Sequence, residues 1–219
     1  MGVKRTRADL SKAEILAAAQ KLARRDGMDL AMRDLADALD TWPNAIYGHF
    51  KNKFTLQEAL VDYVLDEAFT GDVFRELLNE ETPWDDRLRR GGQVIFEVCR
   101  EYLGLGRLLS SFGMGSTSKA MQLIPALVML VMRQGLSEQR AATMIQVAVI
   151  YICTMGDMAA MFDRGISNRD AYIDKLDLSA GGPMVETMRI FFFHEKSERV
   201  MEGIDLFIAA AKAEIAAIP

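Results

Sequence analysis

Twelve residues near the N-terminus, Trp42 to Lys53, gather side chains suited to touching a charged polymer: Trp42, Pro43, Asn44, Ala45, Tyr47, His49 and Lys53. Hydroxyl, imidazole and ammonium groups at Tyr47, His49 and Lys53 are donors for phosphate oxygens. Such bonds hold a protein in register on a duplex without reading its sequence. Asn44 carries the amide that pairs twice with adenine, and Arg33 the fork that pairs twice with guanine. Arg33 also reads as a solvated helix charge. Trp42 reads equally as packing against a neighbouring helix or lying on a sugar-phosphate edge. Catalysis is not expected: no nucleophile stands beside a base, and no phosphate loop or metal-ligand spacing occurs. The histidines, His49 and His194, lie far apart, and Cys99 and Cys153 fall in apolar helical stretches. We expect no cofactor and no metal, with both cysteines buried as thiols in a reducing cytoplasm.

Helices must position these groups. Ser11 and Glu14 form a capping-box pattern, with Leu10 and Ile15 placed as a hydrophobic staple. Ile15, Ala18, Ala19 and Leu22 continue the apolar stripe, and Gly27 offers a stop. A short helix is predicted over residues 32–39, facing Leu35, Ala36 and Leu39 inward. Asp40-Thr41-Trp42 make a turn, Pro43 opens a third helix, and a fourth runs from Lys53 to about Phe69. Helix, short helix, tight turn, short helix is a helix-turn-helix layout. Its second helix enters the major groove N-terminus first, so Pro43, Asn44 and Ala45 would face bases.

The stretch LAMRDLADALDTWPNAIYGHFKNKFTLQEAL, within residues 11 to 60, resembles the helix-turn-helix of the tetracycline-repressor (TetR) family of transcriptional regulators. Ile46-Tyr47-x-His49-Phe50-x-x-Lys53 is its most specific part. The resemblance implies that Tyr47, His49 and Lys53 lie on the DNA backbone. Asp40 stands where the family has Gly, Thr41 where it has an apolar residue, Trp42 where it has a small polar N-cap, and Ala31 where it has a capping Thr. It implies an all-α protein with a DNA-binding domain over 1–54 and a helical ligand-binding and dimerisation domain over 55–219. The expected partners are a double-stranded DNA operator, a small-molecule effector and a second copy of the chain. The function implied is a ligand-responsive regulator, a repressor released by a small, largely apolar molecule. The alternative is a helical interaction protein whose DNA-binding module has decayed.

The remainder reads as helices at about 84–103, 118–134, 138–163, 168–177, 183–193 and 197–217. Breaks are expected at Gly104 and Gly106, at Gly113-Met114-Gly115, at Gly135, at Gly165 and at Ala180-Gly181-Gly182. Eleven of the fourteen methionines follow residue 100, which suits an adaptable apolar pocket. Tyr151, Met155, Met158 and Phe162 share one stripe, while Gln146, Cys153 and Asp157 share another. We take the stripe with Gln146 as candidate ligand contacts, and Phe96, Arg100 and Arg107 as a second candidate wall. In the last helix Val200, Ile204, Phe207, Ala211, Ile215 and Ile218 form a coiled-coil-like seam bordered by Ala209, Ala210 and Ala213. That seam fits intrachain core. The resemblance implies instead a four-helix dimer interface.

The net charge of −5 is unevenly spread: residues 1–60 carry ten Lys and Arg against eight Asp and Glu, and the remainder is acidic. Lys4, Arg5 and Arg7 form a basic arm able to reach phosphates. No signal peptide is apparent, and the most apolar window, residues 144–155, is short for a bilayer span, so no membrane association is expected.

Overall fold

The computed structural model describes Thr6 and residues 10–111, 118–165 and 197–217. Ten α-helices occupy the described residues. They are α1 (Lys12–Asp26), α2 (Met32–Ala38), α3 (Pro43–Tyr47), α4 (Lys53–Ala68), α5 (Gly71–Leu78), α6 (Trp84–Glu101), α7 (Leu105–Ser111), α8 (Ser118–Met132), α9 (Glu138–Asp163) and α10 (Ser197–Ala216). The fold is all-α, as the periodicity predicts. The expected helices near 168–177 and 183–193, the loop at 113–115, the basic arm, His194 and Ile218 lie outside the described residues.

Local chemistry sets the first boundaries. Ser11 accepts from the Glu14 amide at 3.1 Å while the Glu14 carboxylate accepts from the Ser11 amide at 2.9 Å, so both orphan donors are satisfied. Gly27, at φ +96°, ends α1 in a conformation that side-chain-bearing residues rarely adopt. Asn52 and Thr55 make an equivalent box at the start of α4.

Central to the larger half is α9, on which α6, α7, α8 and α10 all pack. Its 26 residues are long and apolar enough to cross a membrane by length and composition, well beyond the short window read from the sequence. The inner face buries Ile145, Val149, Ile152 and Cys153 against that packing. Helices α6 and α9 cross at Gly156, where a Cβ would overlap the Cys99 Cβ and lie 3.1 Å from the Phe96 carbonyl oxygen.

Three boundaries differ from the sequence reading. Thr70 accepts from the Val73 amide and starts the unanticipated α5. The pair Thr82-Pro83 reads in the sequence as the cap of α6; Pro83 is its N-cap, without any side-chain bond, and Thr82 lies outside it. Gly104, at φ +87°, breaks the chain, but Gly106 lies inside α7. There it lets α7 approach α9 so closely that a Cβ would sit 2.8 Å from the Cys153 carbonyl carbon.

The seam expected at the dimer interface is turned inward. Val200, Ile204 and Ala211 are buried within the chain, where α10 packs on α6 and α9, and Phe207 meets Tyr151 edge-on at 5.7 Å. The opposite face of α10 is open, with Leu206 74% exposed beside Ala209, Ala210 and Ala213. On α9, Val147, Ile150, Thr154, Met158 and Met161 form an exposed stripe at spacings of 3, 4, 4 and 3. Those spacings keep it on one side of the helix.

Candidate nucleic-acid interface

The turn that presents α3 depends on Asp40, whose φ of +49° places it in the left-handed region. Asp tolerates that region better than most residues, so it can occupy the position where Gly is easiest. Thr41 follows fully buried, its amide donating to the Ala36 carbonyl at 2.9 Å. Pro43 then takes the first position of α3, where its missing N–H costs nothing. Ile46, Leu35, Ala36 and Phe50 are buried beneath, fixing α3 against α2.

Outward from this turn stand Trp42, at 63% exposure, and Asn44, with Tyr47 exposed one turn later. Arg33 is exposed on α2, and Ala31 caps that helix without a side-chain bond. His49 is half-buried. At that exposure most of the Trp42 indole is open to solvent. Ala45 is the correction. It is 8% exposed and belongs to the core beneath α3, because a helix this short turns its third residue straight back onto α2. Lys53 is half-buried at the start of α4 and its ammonium donates to Asp29 at 2.6 Å, which also pulls the Asp29 carboxyl below its ordinary value. Lys51, exposed two residues earlier, adds a cation that the sequence shows only as part of its Lys-Asn-Lys run.

Near the end of α1 this module is fastened to the larger half. The Met28 amide donates to the Leu103 carbonyl at 2.8 Å, and the buried Gln20 amide donates to the Tyr102 hydroxyl at 2.9 Å. Arg24 pairs with Glu101 at 2.6 Å, and Arg164 donates to the carbonyls of Arg24 and Glu101 at 3.0 and 2.8 Å. Just beyond, Asp157 of α9 accepts from the amides of Gly104, Gly106 and Arg107 at 3.0, 3.1 and 2.8 Å, anchoring the start of α7. Burial raises the Asp157 carboxyl above its ordinary value, and the three amides work against that rise.

The residues expected to hold a ligand do not converge. Phe96 is buried in the α6 core, and Arg100 is paired with Asp163 at 2.6 Å. Gln146 and Arg107 are exposed. Tyr151 packs on Phe207, Met155 and Phe162 are half-buried, and Met158 is 43% exposed on the open face of α9. The stripe straddles the edge between core and surface, so its members point to different surroundings. A cavity of about 380 Å³ lies elsewhere, between α5, α6 and α8, lined by Phe74, Leu77, Arg87, Leu123, Leu127 and Leu130 among others. No single window of sequence holds that set, and the helix supplying Phe74 and Leu77 has no clear signal in the sequence. Among the described residues, no group of three His, Cys, Asp or Glu side chains is placed to hold a metal.

Residues 15–60 match the family model described as bacterial regulatory proteins, tetR family. Over 216 residues, covering 95% of this chain and 97% of the relative, the sequence is 25% identical to the tetracycline repressor protein class G of Vibrio anguillarum. Its fold is similar to that of a single-substitution variant of TetR from Acinetobacter baumannii AYE, solved in complex with minocycline, with a TM-score of 0.68, 21% identity and coverage of 94% and 98% of the two chains. It is also similar to BioQ solved with its double-stranded DNA operator, with a TM-score of 0.59, 24% identity and coverage of 71% and 93%.

Proposed function

We propose that this chain is a member of the tetR family of bacterial regulatory proteins, a cytoplasmic transcriptional repressor that binds its operator as a homodimer and releases it when a small molecule binds. The observation that carries the DNA-binding half of this reading is the intact turn at Asp40, which leaves Trp42, Asn44 and Tyr47 exposed along one short helix over a fully buried support. Asn44 and Arg33 read base edges; Tyr47, His49, Lys51 and Lys53 hold phosphates; Trp42 lies along the sugar-phosphate edge. The domain that does this ends near residue 54. The same turn argues against a decayed module, since the three unusual residues are accommodated with the geometry kept.

The outward face of α9, with Leu206 and the small residues of α10, supplies the second copy's contact. Alanines allow close approach of helices, and Val147, Ile150, Met158 and Met161 supply the apolar area. The effector acts through α4, which leaves the DNA-binding head and packs on α6, α7 and α8. A 100-fold loss of operator affinity needs a coupling of about 2.7 kcal/mol between the two sites.

Selection of bound fragments from random DNA tests the reading. A pseudo-palindrome is expected, because two-fold symmetry in the protein requires it in the site. Asn44→Ala should change the selected bases and cost about 1–3 kcal/mol on the preferred sequence. Recovery of a single asymmetric half-site, or of no enriched sequence, would overturn it.

A further inference from the structure

Arg87 lies in the first turns of α6, 8% exposed, and faces the cavity between α5, α6 and α8. Its Nε is fully enclosed and has no hydrogen-bond acceptor, and no ion pair to its guanidinium occurs among the described residues. Among the described residues, the arginines that do form ion pairs do so near the surface, as Arg133 does with Glu80 at 2.6 Å on the cavity rim. A guanidinium is charged at any ordinary pH, so enclosing its Nε without an acceptor is costly. Such a cost is retained where something else supplies the acceptor. Of the other lining residues, Phe74, Leu77, Leu123, Leu127 and Leu130 are apolar, while Gln122, Glu80 and Arg133 bring polar groups. The volume is within the range of pockets that take small organic molecules.

We propose that this cavity is the effector site, and that the effector is an amphipathic anion whose apolar body fills the leucine-lined space while its carboxylate is received by Arg87. The proposal rests on the reading of the chain as a ligand-responsive repressor, and it adds the site and the chemical class. Guanidinium and carboxylate match as a planar, two-bond pair. A neutral molecule of the same shape fills the space but leaves Arg87 unsatisfied. The site therefore discriminates by charge at one end and only by size at the other. Because α4 and α6 pack on α8, an occupant wedged against α8 acts on the helix that carries the DNA-binding head.

The test compares decanoate with 1-decanol, which shares the chain and lacks the charge, by calorimetry on the full-length protein without DNA. Decanoate should bind about 10- to 150-fold more tightly, the range for a hydrogen bond to a charged group. Arg87→Met should abolish that preference while keeping 1-decanol affinity, and should raise the melting temperature of the unliganded protein, since it removes an unpaired buried charge. Arg87→Lys, which keeps the charge, should retain part of the preference. Equal binding of the two probes, no binding of decanoate, or an Arg87→Met variant that still prefers decanoate would overturn the proposal. Operator release is measured separately. Decanoate that binds through Arg87 but leaves the operator complex intact would overturn the effector role, while operator binding itself would still stand.

Discussion

Replacing Asp29 by Asn should strengthen operator binding, although Asp29 is not among the residues proposed to touch DNA. Its carboxylate holds the Lys53 ammonium at 2.6 Å, and both side chains reach solvent, Asp29 at 71% and Lys53 at 41% exposure. Before Lys53 can reach a phosphate, it must leave this partner. Two unit charges at that distance attract by about 1.6 kcal/mol in water. Side-chain entropy and screening reduce exposed pairs to about 0.2–1 kcal/mol. Freeing Lys53 should thus raise operator affinity by about 1.4- to 5-fold per subunit. The assay is fluorescence anisotropy on the selected operator over a range of salt concentrations. Lys53→Ala should flatten the dependence of log affinity on log salt by about one unit per subunit and weaken all sequences alike. The decisive comparison is the double variant: with Lys53 gone, Asp29→Asn should have little effect. If Asp29→Asn weakens binding, or strengthens it equally without Lys53, the ammonium is not a phosphate contact held in reserve.

Gly156→Ala should destabilise the fold by about 2 kcal/mol in urea unfolding, since overpacking at the α6–α9 crossing outweighs the roughly 1 kcal/mol of helix propensity gained; a net stabilisation would refute the crossing as described. Gly71→Ala, with open space around it, is the matched control. Ile150→Glu should yield a folded monomer by sedimentation that protects no full operator, whereas an unchanged dimer would place the interface elsewhere. Acid should loosen α10: hydrogen bonds from Lys212 and Arg140 hold the carboxyls of Asp85 and Glu214 below their ordinary values of 3.8 and 4.5. A lowered carboxyl pKa stabilises above the ordinary value, and that contribution is lost as pH falls through the lower one. Melting temperatures should therefore drop below about pH 4, and the drop should shrink in Asp85→Asn, Glu214→Gln protein.

The N-terminal module is legible in the sequence because its signals are local. Ser11 and Glu14, Gly27, Asp40 and Pro43 act on neighbours within four residues, so their spacing alone places α1 to α4. Ala45 escapes such a reading because so short a helix gives no periodicity from which to tell its inner side. The last helix fails differently. Its spacing marks an apolar seam correctly, but a seam of that kind fits a neighbour in the same chain as well as one in another. Only the packing of Val200 and Ile204 toward α6 and α9 separates the two. Arg87 carries no signal at all, because an arginine early in a helix reads as solvated until α5 and α8 close over it. A cavity is a property of three helices, and its lining is scattered from Phe74 to Arg133.

The bond from the Met28 amide to the Leu103 carbonyl joins main chain to main chain. Every residue type except proline offers that amide, and every residue type offers that carbonyl. The strap between the reading head and the body is therefore indifferent to the side chains at its two ends, which are free to drift. The constraint falls instead on the neighbour: Gly27 holds φ +96°, and a Cβ there would meet the Leu103 oxygen at 3.0 Å. In this molecule the joint is written in a residue with no side chain to contribute, and a substitution at Gly27 should disturb the strap more than any exchange at Met28 or Leu103 short of proline at Met28.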